Sequence, residues 1–299
     1  MVRHSDRVRF LVSMLAPERL TRVVDVGANP INKNPYKRLV DCGGAEVWGF
    51  EPMPEAFAAL EPMQTDTRHY LPDAVGDGAS GILKITKGGG FSSLLTPDAT
   101  TLSFLGRWSA LMQVVEEVPV ETKRLDDIAA LPGIDLLKID VQGAELAVFE
   151  GARDKLSNAL MVITEVAFVP LYEGQPLLDA QMRELQRQGF VMHKFLHQTA
   201  RPLLGPRSNR LEPRLTRNQL IDGDAVFLRD LRRPEAMSDE QLKHMAILSD
   251  AVARSFDVAL RCVDLLVERE AIVAAEADTY AAMLPGQKQP TLAEREGSQ

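Results

Sequence analysis

Val23-Val24-Asp25-Val26-Gly27-Ala28-Asn29 is the stretch whose reading decides the fold. Thr21–Val26 is short, β-branched and closed by a glycine, the pattern of a buried strand that ends in a turn. Working outward, Glu46–Phe50 reads as the next strand and is followed by Glu51. His69–Val75 reads as a third, with Asp73 in Asp73-Ala74-Val75-Gly76. Ile134–Val141 is apolar on both faces, as a central parallel strand must be, and carries Asp140 at its end. Leu160–Val166 follows with Glu165 near its end, then Gly189–Phe195 and Ala225–Arg229.

Helical segments fall between these strands at Tyr36–Asp41, Pro54–Leu60, Asp126–Ala130, Gly143–Glu150 and Leu178–Gln188. Gly81–Thr86 reads as a further strand, antiparallel or peripheral, and Val114–Thr122 alternates as a strand does. This order predicts an α/β fold with an open, mostly parallel sheet and helices on both faces. Beyond Pro234 only helical spacing remains. The expected organisation is a helical segment over 1–20, the α/β domain over 21–233, a helical appendix over 234–284 and a flexible tail over 285–299. The appendix is expected to pack on the sheet or to form a homodimer interface.

The 299 residues are 45% hydrophobic and carry 34 basic against 42 acidic side chains, a formal charge of −8. That balance argues against an extended nucleic-acid footprint, which needs clustered Lys and Arg. The one basic stretch, Arg201–Arg217, reads as a solvated loop. Cys42 and Cys262 are far apart and lack metal spacing. No apolar run reaches the ~20 residues of a membrane span and no signal peptide precedes the first helix. A cytoplasmic protein without a transmembrane segment is expected.

In open α/β sheets ligands bind beyond the carboxyl ends of the strands. Asp25, Glu51, Asp73, Asp140 and Glu165 all collect there. An acid after the second strand suits the ribose diol of a nicotinamide dinucleotide or of S-adenosylmethionine. The first turn separates the two. A pyrophosphate needs a glycine-rich cradle, whereas Gly27-Ala28-Asn29-Pro30-Ile31-Asn32 has one glycine and a proline without an N–H. Asp25 repels a pyrophosphate but suits the ammonium and sulfonium of S-adenosylmethionine.

Asp25-Val-Gly-Ala-Asn29, Phe50-Glu-Pro52, Ser92-Ser-Leu94, Arg124-Leu-Asp-Asp127, Leu137-Lys-Ile-Asp-Val-Gln-Gly-Ala-Glu145, Glu150-Gly-Ala152 and Asp224-Ala-Val-Phe-Leu-Arg-Asp230 occur in that order. Together they resemble the FkbM family of S-adenosylmethionine-dependent methyltransferases. The resemblance implies a Rossmann-like methyltransferase sheet and O-methyl transfer to a hydroxyl of a sugar, glycan or polyketide-like metabolite. It places Gly27 against the cofactor, Asp25 and Asn29 at the methionine end, Glu51 on the ribose, and Asp73 with Ala74 at the adenine. Asp140 would lie where the methyl group emerges. Where the family has a second glycine shortly after the asparagine, this chain has Pro30.

A hydroxyl acceptor must lose its proton, and Asp140, Glu165 and His193 are the candidate bases. No metal ligand set is assigned; a divalent cation on Asp140 and Glu165 is the variant reading. Lys138, inside the central strand, must pair with a carboxylate, and Glu165 is the expected partner. Gly88–Trp108 is read as a lid. The alternatives to methyl transfer are a nicotinamide-dependent oxidoreductase and a non-catalytic assembly module on the same fold.

Overall fold

The computed structural model describes residues 3–29 and 34–286, so Pro30 and the greater part of the expected tail lie outside the described residues. In chain order the helices begin with α1 (His4–Leu15), α2 (Lys37–Asp41), α3 (Pro54–Leu60), α4 (Ala99–Leu105) and α5 (Glu145–Glu150). They continue with α6 (Arg153–Leu156), α7 (Leu178–Arg187), α8 (Asp239–Ala251), α9 (Phe256–Glu268) and α10 (Ala274–Met283). The strands are β1 (Thr21–Val26), β2 (Ala45–Phe50), β3 (Arg68–Leu71), β4 (Ala74–Val75) and β5 (Ser80–Thr86). After these come β6 (Val114–Lys123), β7 (Leu136–Ile139), β8 (Met161–Ala167), β9 (Phe190–Arg201) and β10 (Gln219–Arg229).

The chain divides into two compact units, one of residues 21–34 and 45–234 and the other of 1–20, 35–44 and 235–299. The larger unit is mixed α/β. Its seven-stranded sheet has the order β3-β2-β1-β7-β8-β10-β9, and a second sheet has the order β4-β6-β5. From β3 to β8 every pairing is parallel; β10 runs antiparallel to both β8 and β9. One face packs on α5, α6 and α7 through Val24, Val26, Leu137, Ile139, Val162, Phe149, Leu156 and Leu185, alternate strand residues meeting a helical stripe. All four residues of β7 are buried, as expected of a central strand covered on both faces.

Several elements differ from the sequence expectation. His69–Val75 is two strands, because Pro72 has no N–H to continue the ladder; Arg68–Leu71 stays in the main sheet while Ala74–Val75 pairs with β6. The expected helix at Asp126–Ala130 is one 3-10 turn, Leu125–Asp127. β9 and β10 run past the expected strands, forming a long antiparallel pair that reaches Arg201 and Gln219. Arg229, in the family-like block, is structural: its guanidinium donates to the carbonyls of Leu156, Ala159 and Gln188 and stacks 4.1 Å over the Phe190 ring.

The smaller unit is helical. Ser238 and Gln241 form a reciprocal capping box that starts α8. Arg7 of α1 donates two hydrogen bonds of 2.8 Å to the buried Asp250 of α8, and the Tyr280 hydroxyl of α10 donates a third at 2.8 Å. Among the described residues no helix is long and apolar enough to cross a membrane.

Candidate active site

The ends of β1, β2 and β7 are tied together by backbone bonds. The N–H groups of Gly27 and Ala28 both donate to Phe50 O at 3.0 Å, and Asp140 N donates to Val26 O at 3.0 Å. Gly27 has φ +81°, and a Cβ there would lie 2.1 Å from the Asp140 carbonyl oxygen. Only glycine permits this approach, which brings the first turn onto Asp140. Glu51, 7% exposed, accepts from Met53 N at 2.8 Å. Burial raises its pKa; the Met53 N–H opposes the rise, the Asp25 charge adds to it and Lys138 opposes it.

Lys138 does not meet Glu165 as expected. Its Nζ lies 3.2 Å from Asp25 Oδ1, because β1 and β7 pair with Asp25 directly beside Lys138. Asp25 is wholly buried. Its carboxylate therefore has no surface to offer a ligand.

The centre of the site is Gln142, which follows Asp140 by two residues and adopts φ +56° just before Gly143 at φ +103°. Gln142 Nε2 donates to Asp140 Oδ1 and to Glu165 Oε2, both at 2.9 Å. The Tyr172 hydroxyl shares its proton between Gln142 Oε1 at 3.1 Å and Phe91 O at 3.0 Å. Ser93 Oγ donates to Gln142 O at 2.7 Å. The amide thus holds two carboxylates at a fixed separation, and its own remaining groups are satisfied.

Glu145, at the start of α5, accepts from the N–H groups of Val141 and Gly143 at 3.1 Å, and burial pushes its pKa up to about 7 despite these bonds. Glu165 is raised well above the usual carboxylate range by burial and by the charges of Asp140, Glu145, Asp222 and Asp224. A small cavity opens between Gln142, Glu145, Glu165, Tyr172, Gln175 and Asp222.

The segment read as a lid reaches this centre through Ser93 and the Phe91 carbonyl. It also contributes Phe91, Leu95, Leu102, Leu105 and Trp108 to an apolar cluster with Leu171, Tyr172 and Ile221. Asp73 is ion-paired with Lys123 at 2.7 Å, and Ala74 opens β4 in the second sheet. Asn29 is the last described residue of its segment. His193 lies on β9, with β10 between it and β8. It falls in a bulge of the β9–β10 ladder level with Val226 and Phe227, while His197 is the residue opposite Asp224, whose other neighbour is Glu165. Among the described residues no group of three or more His, Cys, Asp or Glu is disposed to hold a metal ion.

Sequence reasoning missed Gln142, Tyr172 and Asp222. Gln142 stands inside the block that carries the family resemblance, but its role depends on a left-handed backbone that the sequence does not announce.

The family model of the methyltransferase FkbM domain matches residues 25–192. A stretch of 66 residues is 46% identical to 2-O-methyltransferase NoeI of Sinorhizobium fredii (strain NBRC 101917 / NGR234), covering 21% of this chain and 27% of that protein. The chain thus spans about a quarter of the curated relative it matches. Among solved structures, an S-adenosylmethionine dependent methyltransferase from Mesorhizobium loti is 12% identical, with a TM-score of 0.36 over 73% of this chain and 95% of that one. Precorrin-6y C5,15-methyltransferase from Geobacter metallireducens GS-15 is 9% identical, with a TM-score of 0.35 over 76% of this chain and 90% of that one. With its matched region spanning the first turn, Glu51, Gln142 and Glu165, the chain belongs to the FkbM methyltransferase family.

Proposed function

We propose that the protein is an S-adenosylmethionine-dependent O-methyltransferase acting on a hydroxyl of a sugar, glycan or polyketide-like metabolite. The observation that carries this reading is the Asp140–Gln142–Glu165 bridge, set against the Gly27 turn that also leads to buried Glu51. The first turn supports the methyl donor over a dinucleotide. A pyrophosphate needs backbone N–H groups aimed at it. Here the N–H groups of Gly27 and Ala28 are both spent on the Phe50 carbonyl. The similarity to a 2-O-methyltransferase supports oxygen as the acceptor atom.

When bound, S-adenosylmethionine supplies a methyl group on a positively charged sulfur, open to in-line displacement. The protein's part is to bind, align and deprotonate. Glu51 accepts from the ribose hydroxyls. Gly27 brings the turn close enough to Asp140 for donor and acceptor to share one small space. Asp140 would orient the acceptor hydroxyl, and Glu165 would take its proton as the methyl passed from sulfur to oxygen, leaving the thioether. Gln142 positions both carboxylates. His193 and Asp25 take no direct part in this reading, and Asp25 serves through Lys138.

Glu51 gives the first test. A carboxylate accepting from a diol contributes about 1.5–3 kcal/mol. Glu51→Ala should therefore weaken S-adenosylmethionine about tenfold to a hundredfold by calorimetric titration. Unchanged affinity would remove Glu51 from the cofactor site.

A further inference from the structure

The stretch Arg201–Arg217 has five arginines and one acid in an otherwise acidic chain. It lines an open groove with Arg107, Arg201 and Arg217 on its walls, and Leu204 and Leu211 between them. The three cations come from three places: the turn after α4, the end of β9 and the residue two before β10. Arg107 is fixed by donating to Pro202 O at 2.9 Å and lies 5.6 Å over the Trp108 ring. Leu204 sits on the turn that ends α4, its Cβ 3.0 Å from where a Gly106 Cβ would be. Glu212, the local acid, is taken by Arg214 at 2.6 Å. Among the described residues no carboxylate pairs with Arg217.

Leu204 and Leu211 are 50% and 58% exposed, so the groove presents apolar side chains to solvent beside its arginines. The groove therefore offers guanidinium forks beside an apolar floor. Guanidinium matches the planar, bidentate geometry of a phosphate.

Its place in the fold gives it a role. β10 is antiparallel to β8, with Asp222 opposite Ala167, so residues before Asp222 extend past the carboxyl end of β8, on the side of the site. Arg217 is five residues before Asp222, at most about 17 Å along an extended chain. The near end of that span is acidic, with Glu165, Glu145 and Asp222 around one cavity. No cation lines that cavity, whereas three arginines line the groove, so a molecule with a neutral hydroxyl end and an anionic end is oriented by where the positive charge lies.

We propose that this groove binds the far end of the methyl acceptor, and that the acceptor carries a phosphate ester beside an apolar chain. The assignment to the acceptor rests on the methyl-transfer reading of the strand ends; the phosphate-ester site itself does not.

The test uses the full chain and dodecyl phosphate below its micelle concentration, titrated calorimetrically. Inorganic phosphate, dodecyl maltoside and phosphatidylglycerol vesicles are the comparisons, and S-adenosylmethionine is titrated in parallel. Dodecyl phosphate should bind at one site, about tenfold or more tighter than either inorganic phosphate or dodecyl maltoside. Arg217→Gln, an exposed change, should erase most of that advantage and leave S-adenosylmethionine affinity unchanged. Equal binding of the maltoside, or no loss in Arg217→Gln, would overturn the proposal. Vesicle binding without a site for monomeric dodecyl phosphate would make this a membrane-contact surface and would also overturn it. If S-adenosylmethionine binds and dodecyl phosphate does not, only the groove proposal fails. If dodecyl phosphate binds and S-adenosylmethionine does not, the methyl-transfer reading fails and the acceptor assignment goes with it.

Discussion

Lys138→Met should lower the unfolding free energy by about 3–5 kcal/mol, the cost of leaving a buried charge without its partner. Lys138 stands in the middle of the sheet on β7, with 10% of its side chain exposed, 3.2 Å from an Asp25 that is not exposed at all. Burial works to lower the lysine pKa, but the charges of Asp25, Asp140 and Asp224 more than offset it and leave it raised. A raised lysine pKa gives stability that is fully present below the unfolded value and is lost only as pH climbs through the folded one. The contribution is therefore complete at neutral pH. Met fills similar volume, so the loss is electrostatic rather than a cavity.

The double variant Asp25→Leu/Lys138→Met should recover most of the stability, since an apolar pair of similar size replaces a buried ion pair at little net cost. Denaturant unfolding of the two variants and the parent is the measurement. Equal stability of Lys138→Met and the parent would show that the fold does not depend on the Asp25–Lys138 pair.

The second large effect is on turnover. Glu165→Gln should lower kcat by about 10²–10⁴-fold with any hydroxyl acceptor that supports methyl transfer, the usual contribution of a positioned base. Affinity for S-adenosylmethionine should be unchanged. The pKa of Glu165 is raised by burial first and then by four surrounding carboxylates. The unprotonated form that accepts a proton therefore grows in at higher pH than for an ordinary carboxylate, and kcat should rise through that range. Glu165→Gln should flatten this limb. Gln142→Leu removes the N–H that favours the charged form, so it should move the limb further alkaline.

The same raised pKa affects folding in the opposite sense. Its contribution to stability is full below the unfolded carboxylate value and is lost as pH rises through the folded one. Glu165→Gln should thus be less sensitive to alkali than the parent. A pH–rate profile unchanged in both variants would exclude Glu165 as the base.

Much of this was legible in the chain. Buried strands closed by acids announce an open α/β sheet, and of the strand-end carboxylates Glu51, Asp140 and Glu165 stand beside the first turn or the Gln142 bridge, whereas Asp25 is buried against Lys138 and Asp73 is paired with Lys123. What remained hidden depends on register and on backbone sign. Nothing in Leu136–Ile139 alone says that Lys138 lies beside Asp25 rather than Glu165; the β1–β7 pairing decides it. Gln142 bridges two carboxylates because its φ is positive. The bulges in the β9–β10 ladder, which no sequence pattern announces, set His197 opposite Asp224 and leave His193 in a bulge level with Val226 and Phe227. The arginine-rich stretch reads as loop and is one between the end of β9 at Arg201 and the start of β10 at Gln219, broken only by two 3-10 turns.

The most direct test of the central claim is thermal unfolding of the unaltered protein with and without S-adenosylmethionine. At ~100 times its dissociation constant the cofactor should add about 2.7 kcal/mol of stability, while a nicotinamide dinucleotide adds none. A shift with the dinucleotide alone would contradict the account in favour of an oxidoreductase, and no shift with either ligand would leave a non-catalytic module on this fold.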